Sequence, residues 1–110
     1  MEYLFVYGMF RDSANGLLEG SKFCNKDYIN AKMYRVNDFW PGIILDKKNK
    51  VIGDVYLIDP NIFTSLDEFE GSEYRRVKVT TLSGIDCWVY EWAFDIDEFE
   101  EIEGGDWILR

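Results

Sequence analysis

The sequence predicts a small α+β domain, built from several β-strands and one α-helix around a single core. Apolar runs rich in β-branched and aromatic residues, such as residues 3–7, are typical of buried strands. Apolar residues recur at helical spacing in only one convincing segment, residues 61–70. The chain has 110 residues, about the length of one domain. We therefore expect one domain over residues 1–110, with a sheet that can curl into a barrel.

The first half of the chain contains two clear strand signals. Residues 3–7 carry no charged side chain and predict a buried strand. Residues 10–20 mix charged residues with Asn and Gly, which is typical of a loop or a short helical turn. Residues 29–36 alternate polar and apolar side chains and predict a half-buried strand. Residues 37–42 then break this pattern, since the neighbouring Pro41 and Gly42 predict a turn.

The middle of the chain predicts a hairpin followed by the helix. Two apolar runs, residues 43–45 and 51–58, flank the charged segment 46–50, which we interpret as a hairpin loop. The helix over residues 61–70 ends at Gly71, since glycine is favoured just after the last helical turn.

The last part of the chain predicts two further strands and an acidic segment. Residues 76–82 and 87–94 are the strands, separated by a short segment that contains Ser83 and Gly84. Residues 95–103 are strongly acidic and are interpreted as a short helix.

The charge balance is acidic, with 21 Asp and Glu against 12 Lys and Arg and a net charge of −9. Such a chain repels phosphate, so neither nucleic acid nor an anionic membrane surface is expected as a partner. An acidic surface also promotes solubility. No apolar run approaches the roughly 18 residues that a membrane span needs. The first residues show no basic segment or cleavage site of a signal peptide, so we expect a cytoplasmic protein.

The chain has no His and two Cys. The lack of His excludes Ser-His and Cys-His nucleophiles and most zinc sites. Cys24 and Cys87 form no CxxC pattern and are expected to be small core residues rather than a disulfide or a metal site. Any proton transfer must then use a carboxylate, Lys, Tyr or Cys.

One carboxylate of the predicted helix is unusually placed. Glu70 follows Leu66 by four residues and therefore lies on the apolar side of the helix. A desolvated carboxylate has a raised pKa and can act as a general base near neutral pH. The alternative is a frayed helix end, with Glu70 paired to Arg75 or Arg76. Two other carboxylates fall on the exposed side and are expected to be solvated: Asp67 and Glu68.

Two further features could form a binding site. Gly8 follows the first strand, and successive backbone N–H groups after it could form an anion-binding nest, although an ordinary turn has the same pattern. Aromatic residues alternate along two predicted strands, so each set lies on one face, either as core or as the wall of a small-ligand cavity. These sets are Tyr3, Phe5 and Tyr7, and Trp88, Tyr90 and Trp92.

In order and spacing, the chain resembles the γ-glutamylcyclotransferase-like (AIG2-like) family over nearly its whole length. The matching segments are Val-Tyr-Gly-Met-Phe-Arg at 6–11, Tyr34 with Pro41 and Gly42, Gly-Asp-Val-Tyr-Leu at 53–57, Leu-Asp-Glu-Phe-Glu-Gly at 66–71, Tyr-Arg-Arg at 74–76, Trp-Val-Tyr at 88–90 and Gly-Asp-Trp at 105–107.

This resemblance implies a small, mixed, mostly antiparallel β-barrel with one main helix, short flanking helices and a cavity at the strand ends. Enzymes of the family release 5-oxoproline from γ-glutamyl compounds without a metal or organic cofactor. The family's catalytic glutamate, in its D-x-x-E-G motif, corresponds to Glu70. Its substrate loop corresponds to Tyr7, Gly8, Met9 and Phe10, whose backbone N–H groups would hold the substrate α-carboxylate. Arg11, which closes that loop, is expected to be a surface or ion-pair residue rather than a catalytic one.

Three functional hypotheses follow. The first is a cyclotransferase that acts on a γ-glutamyl amine or peptide, with Glu70 as general base. The second is a non-catalytic module that binds a small carboxylate or amino acid in the same cavity. It is favoured by Met9 and Phe10, which replace the family's small hydroxyl residue and Leu. The third is an acidic partner-binding domain that uses residues 95–103. We expect a small-molecule substrate and a monomer or weak homodimer.

Overall fold

A computed structural model describes residues 1–8, 18 and 20–110. In this part of the chain, a six-stranded sheet curves into a half-barrel and packs against one α-helix. The elements are β1 Glu2–Val6, β2 Lys22–Arg35, β3 Pro41–Ile58, α1 Phe63–Glu70, β4 Tyr74–Thr80, β5 Asp86–Trp92 and β6 Glu100–Glu101, with one 3₁₀ turn at Pro60–Ile62.

The strand order across the sheet is β4-β5-β1-β3-β2-β6. Strands β1 and β5 are parallel, and the other neighbouring pairs are antiparallel. The predicted fold class, a small mixed and mostly antiparallel sheet with one main helix, is confirmed. The curvature gives a half-barrel, in which β4 and β6 are the two edges.

The predicted hairpin between residues 43–45 and 51–58 is wrong. Both runs belong to β3, and both pair with β2 rather than with each other. Asn30 pairs with Lys50, but the next residue, Ala31, pairs with Leu45. Residues 46–49 are therefore an irregularity within one long strand. A run of apolar residues indicates a strand but not its pairing partner. The sequence alone could therefore not distinguish a hairpin between the two runs from one long strand that pairs with β2.

Strand β2 begins well before the predicted residue 29. Its first residues are largely exposed on both faces, so they lack the polar and apolar alternation that marks a half-buried strand. The predicted break over residues 37–42 is confirmed at residues 37–40, whereas the turn expected at Pro41 and Gly42 is wrong, because both residues are in β3. The chain turns just before them, where the Asn37 side chain accepts hydrogen bonds from the backbone N–H groups of Phe39 and Trp40.

The helix agrees with its prediction. Asp59 caps the 3₁₀ turn by accepting a hydrogen bond of 2.9 Å from the backbone N–H of Asn61. Helix α1 follows and buries Phe63 and Leu66. It ends at Gly71, whose φ of 75° is a conformation that favours glycine.

The core has two clusters of buried side chains that divide the residues of β1 between them. Phe5 and Tyr7 belong to one cluster and Leu4 and Val6 to the other. The second cluster also contains Leu66, so α1 covers that side of the sheet. Cys87 is buried in the first cluster, as expected, whereas Cys24 is exposed and the expectation that it is a core residue is wrong.

The predicted short helix over residues 95–103 is wrong, since turns lead into β6, which pairs with β2. The Asp95 side chain accepts a hydrogen bond from the backbone N–H of Asp97, which stabilises a turn instead of a helix. Ile102 and Trp107 then anchor the segment by entering the core. No helix in the described part of the chain is long and apolar enough to cross a membrane.

Candidate active site

A cavity of about 340 Å³ lies between the end of β1, the start of β3 and the C-terminal end of α1. Its described wall is mostly aromatic, and the charged residues of that wall are two carboxylates, Glu70 and Glu73. The described lining residues are Phe5, Val6, Tyr7, Gly8, Trp40, Pro41, Phe69, Glu70, Glu73, Tyr74 and Tyr90.

Glu70 is the last residue of α1, and the helix directs its side chain into this cavity. Burial raises the pKa of Glu70 from 4.5 to about 7, because the charged form loses hydration. Neither following arginine pairs with it. The Nε of Arg75 lies 3.0 Å from a carboxylate oxygen of Glu91, and the Nε of Arg76 lies 3.0 Å from Asp67. The alternative in which an arginine pairs with Glu70 is therefore wrong.

Three tyrosines of the wall surround Glu70, and their hydroxyl groups donate hydrogen bonds to the protein. Tyr7 donates to the backbone carbonyl of Tyr90, and Tyr74 donates to that of Pro41 at 2.6 Å. Burial raises the pKa of all three tyrosines, and the charge of Glu70 contributes to each shift. These hydroxyl groups therefore stay protonated near neutral pH and leave only lone pairs for a ligand.

Asp67 is on the exposed side of the helix, as expected, but its carboxylate is bound to neighbouring side chains rather than only to water. Its carboxylate accepts a hydrogen bond of 2.6 Å from the Tyr90 hydroxyl and two from Arg76, at 3.0 and 3.3 Å. Burial alone would raise the pKa of Asp67, but the bonds from Arg76 and Tyr90 outweigh burial and lower it. Glu68 is exposed, as expected.

The predicted substrate loop is described only at its start. Tyr7 and Gly8 both line the cavity. A Cβ atom at Gly8 would lie 2.9 Å from Cδ of Pro41, so a side chain there would press on this residue of the cavity wall. Met9, Phe10 and Arg11 lie outside the described residues. The binding of a carboxylate by backbone N–H groups of this loop stays a prediction.

Sequence reasoning did not assign several cavity residues to the site. Trp40 and Pro41 had the pattern of a turn, and Phe69 had the pattern of a core residue on the helix, although its side chain is 47% exposed. Glu73 had no distinguishing signal. Tyr74 could have been found, because it stands in a segment that matches the family pattern.

The fold is that of AIG2-like proteins. A family model for "Gamma-glutamyl cyclotransferase, AIG2-like" matches residues 4–109. The chain belongs to this family, as the sequence resemblance predicted. Membership supports a cyclotransferase-type function in general.

Several solved structures share this fold. An uncharacterized protein from Pyrococcus horikoshii is 29% identical, with a TM-score of 0.79 over 96% of this chain and 89% of that one. The protein ytfP from Escherichia coli is also 29% identical, with a TM-score of 0.77 over 96% of both chains. An AIG2-like protein from Mus musculus shares the fold at 22% identity, with a TM-score of 0.76 over 90% of this chain and 82% of that one. A search of curated proteins found no match.

Proposed function

We propose that this protein is a γ-glutamyl cyclotransferase, which releases 5-oxoproline from a γ-glutamyl amine or peptide with Glu70 as general base. The observation that carries the proposal is the position of Glu70, a carboxylate with a pKa of about 7 in the wall of a cavity. Family membership supports the reaction class, and the geometry supports the choice of base.

The reaction needs a base because the α-amino group of the substrate is an ammonium at neutral pH. An ammonium has no lone pair and cannot attack a carbonyl. A carboxylate with a pKa near 7 is half ionised at neutral pH and accepts a proton more readily than an ordinary glutamate does. Glu70 thus takes one proton from the ammonium and becomes a neutral carboxylic acid.

The freed α-amine then attacks the γ-carbonyl carbon of the same molecule. A new C–N bond closes the five-membered ring, and the bond from that carbon to the leaving nitrogen breaks. The proton held by Glu70 passes to the leaving nitrogen. The ring nitrogen then gives its second proton to the regenerated Glu70 carboxylate, which passes it to the released amine, so the products are 5-oxoproline and an ammonium. Because attack is intramolecular, a cavity that holds the substrate folded back on itself supplies much of the acceleration.

The size and chemistry of the cavity suit such a substrate. Its volume of about 340 Å³ lies near the lower end of the roughly 300–1,000 Å³ that small-molecule sites occupy. Apart from Trp40, the described polar side chains of the wall are carboxylates and tyrosines whose protons are already donated, so they are suited to accept hydrogen bonds from N–H groups. The substrate carboxylate is assigned to backbone N–H groups after Gly8.

The test is 5-oxoproline release from a panel of γ-glutamyl amines and dipeptides, with wild type, Glu70→Gln and Glu68→Gln compared side by side. Loss of a general base typically costs about 10²- to 10⁴-fold in rate. We expect a loss of this size in Glu70→Gln and wild-type turnover in Glu68→Gln, since Glu68 is an exposed carboxylate on the same helix.

Two results would contradict the proposal. Full turnover in folded Glu70→Gln would exclude this residue as the base. No turnover by folded wild-type protein on any member of the panel would favour the non-catalytic binding module, and a rise in melting temperature with the same compounds would then identify its ligand.

A further inference from the structure

The carboxylate of Asp67 joins three elements of the fold one helical turn before Glu70. It accepts hydrogen bonds from Tyr90 of β5 and from Arg76 of β4, while its own backbone belongs to α1. The backbone carbonyl of Asp67 also accepts a bond of 3.0 Å from the N–H of Gly71, which closes the helix. The side chain of Asp67 thus attaches the last helical turn to the sheet, and its backbone carbonyl closes the helix end.

The partner arginine is itself held in a fixed position. The Arg76 guanidinium lies 4.0 Å from the ring centroid of Phe63 and 4.7 Å from that of Trp88. Its planar fork, which donates two bonds to one carboxylate, restricts both groups more than a single hydrogen bond does. Asp67 is therefore attached to a rigid part of the sheet rather than to a freely moving surface side chain.

We propose that Asp67 is a positioning residue, which holds the last turn of α1 against β4 and β5 and thereby keeps Glu70 in the cavity. The inference rests on the proposed function for its effect on turnover, but its effect on the position of Glu70 does not depend on any activity. Without the attachment, the end of the helix can move outward and bring Glu70 into water.

The other titratable groups near Glu70 do not attach the end of α1 to the sheet in the way that Asp67 does. Tyr7 after β1, Tyr74 of β4 and Tyr90 of β5 line the same cavity and stay neutral, while Glu73 shares the cavity wall as a second carboxylate. A displacement of Glu70 into water would restore hydration of its charged form, which lowers its pKa toward that of an ordinary glutamate.

The experiment compares wild type with Asp67→Ala, Asp67→Asn and the matched control Glu68→Ala. The first measurement is a pH titration of the Glu70 side-chain carboxyl by carbon NMR without substrate. The second is kcat and KM for 5-oxoproline release at several pH values. Circular dichroism verifies that each variant is folded. A misplacement of about 1 Å can cost about 100-fold in rate, so a fall in kcat of about 10- to 100-fold is expected in Asp67→Ala.

The expected result is that Asp67→Ala lowers kcat more than it raises KM and moves the titration of Glu70 to lower pH. Asp67→Asn, which keeps an acceptor for Tyr90 but loses the charge that holds Arg76, should lie between wild type and Asp67→Ala. Glu68→Ala should match wild type in both measurements. If Asp67→Ala does not fold, the titration and the kinetics of Asp67→Asn are compared with those of wild type instead.

An unchanged titration of Glu70 in the folded variants would overturn the inference, even with a lower kcat, because the loss would then not act through Glu70. If wild type releases no 5-oxoproline but the titration still moves in Asp67→Ala, the proposed function fails and the positioning role stands.

Discussion

Two carboxylates in different parts of the molecule, Asp27 and Glu70, are both withdrawn from water but have opposite shifts in pKa. Asp27, on β2, is only 5% exposed. Burial would raise its pKa, but hydrogen bonds from Ser83, Thr81 and the backbone N–H of Tyr28 outweigh burial and lower it. Glu70 retains more solvent-exposed surface, yet burial raises its pKa to about 7 because no such donors offset the desolvation.

The difference shows that hydrogen-bond donors and desolvation together decide whether a buried carboxylate suits proton transfer. A carboxylate surrounded by hydrogen-bond donors is stabilised as an anion and is a poor base at neutral pH. A carboxylate that is desolvated without donors stores unfavourable energy and accepts a proton readily. Asp27 therefore has the character of a structural group, and Glu70 that of a functional group.

The largest expected effect is on the pH dependence of stability. Because the folded pKa of Glu70, about 7, lies above its unfolded value of 4.5, the folded state binds the extra proton between these values. The contribution of Glu70 to the free energy of unfolding is therefore fully present below about pH 4.5 and is lost as the pH rises through 7. Glu70→Gln removes this loss, so it should be more stable than wild type at pH 8, by up to about 3 kcal/mol.

Urea unfolding of wild type and Glu70→Gln at pH 4.5 and pH 8 measures this effect. The two proteins should differ little at pH 4.5, where Glu70 is protonated in the folded state and half protonated in the unfolded state. If wild type and Glu70→Gln had equal stability at both pH values, the result would contradict the raised pKa of Glu70.

Replacement of Asp27 is expected to lower stability, whereas Glu70→Gln raises it at pH 8, and the change is smaller. Asp27→Ala leaves the backbone N–H of Tyr28 and the hydroxyl of Ser83 without their acceptor, which costs about 2 kcal/mol of unfolding free energy. The variant should keep its kcat, because this residue does not line the cavity. The control is Asp38→Ala, at an exposed aspartate. A large loss of kcat in folded Asp27→Ala would remove the distinction between the two carboxylates.

The smallest effect is expected from reducing the cavity. The added methyl group of Gly8→Ala would press on Pro41, so kcat/KM should fall about tenfold, as for one misplaced methylene in a pocket. Pro41→Ala in the same chain should restore part of the loss. By contrast, a Cβ at Gly53 would lie 2.3 Å from the backbone oxygen of Val6, so Gly53→Ala should lower stability instead. Equal kcat/KM in Gly8→Ala and wild type would contradict the assigned cavity wall.

Features that depend on neighbouring residues along the chain were predictable from the sequence. Helix α1 and its end at Gly71 follow from apolar spacing and glycine chemistry, and the same spacing puts Glu70 on the apolar side. The pairing of β3 was not predictable, because the strand that pairs with residues 43–45 and 51–58 is distant in sequence.

The environment of the two helix carboxylates depends on such distant residues as well. Helical spacing puts Asp67 on the exposed side, but it does not reveal that β4 and β5 bring Arg76 and Tyr90 to the same point. The absence of an arginine at Glu70 likewise depends on Glu91, which binds Arg75. The position of the candidate base was therefore predictable, whereas its charge environment required the structure.

The most direct test of the central claim is a pH titration of the Glu70 carboxyl in the free protein, followed by carbon NMR and assigned with Glu70→Gln. The account predicts a midpoint near 7, well above the 4.5 of an ordinary glutamate, and a midpoint below that of a normal aspartate for Asp27 in the same spectra. A midpoint near 4.5 for Glu70 would mean that the carboxylate is hydrated or paired, and would contradict its role as the general base.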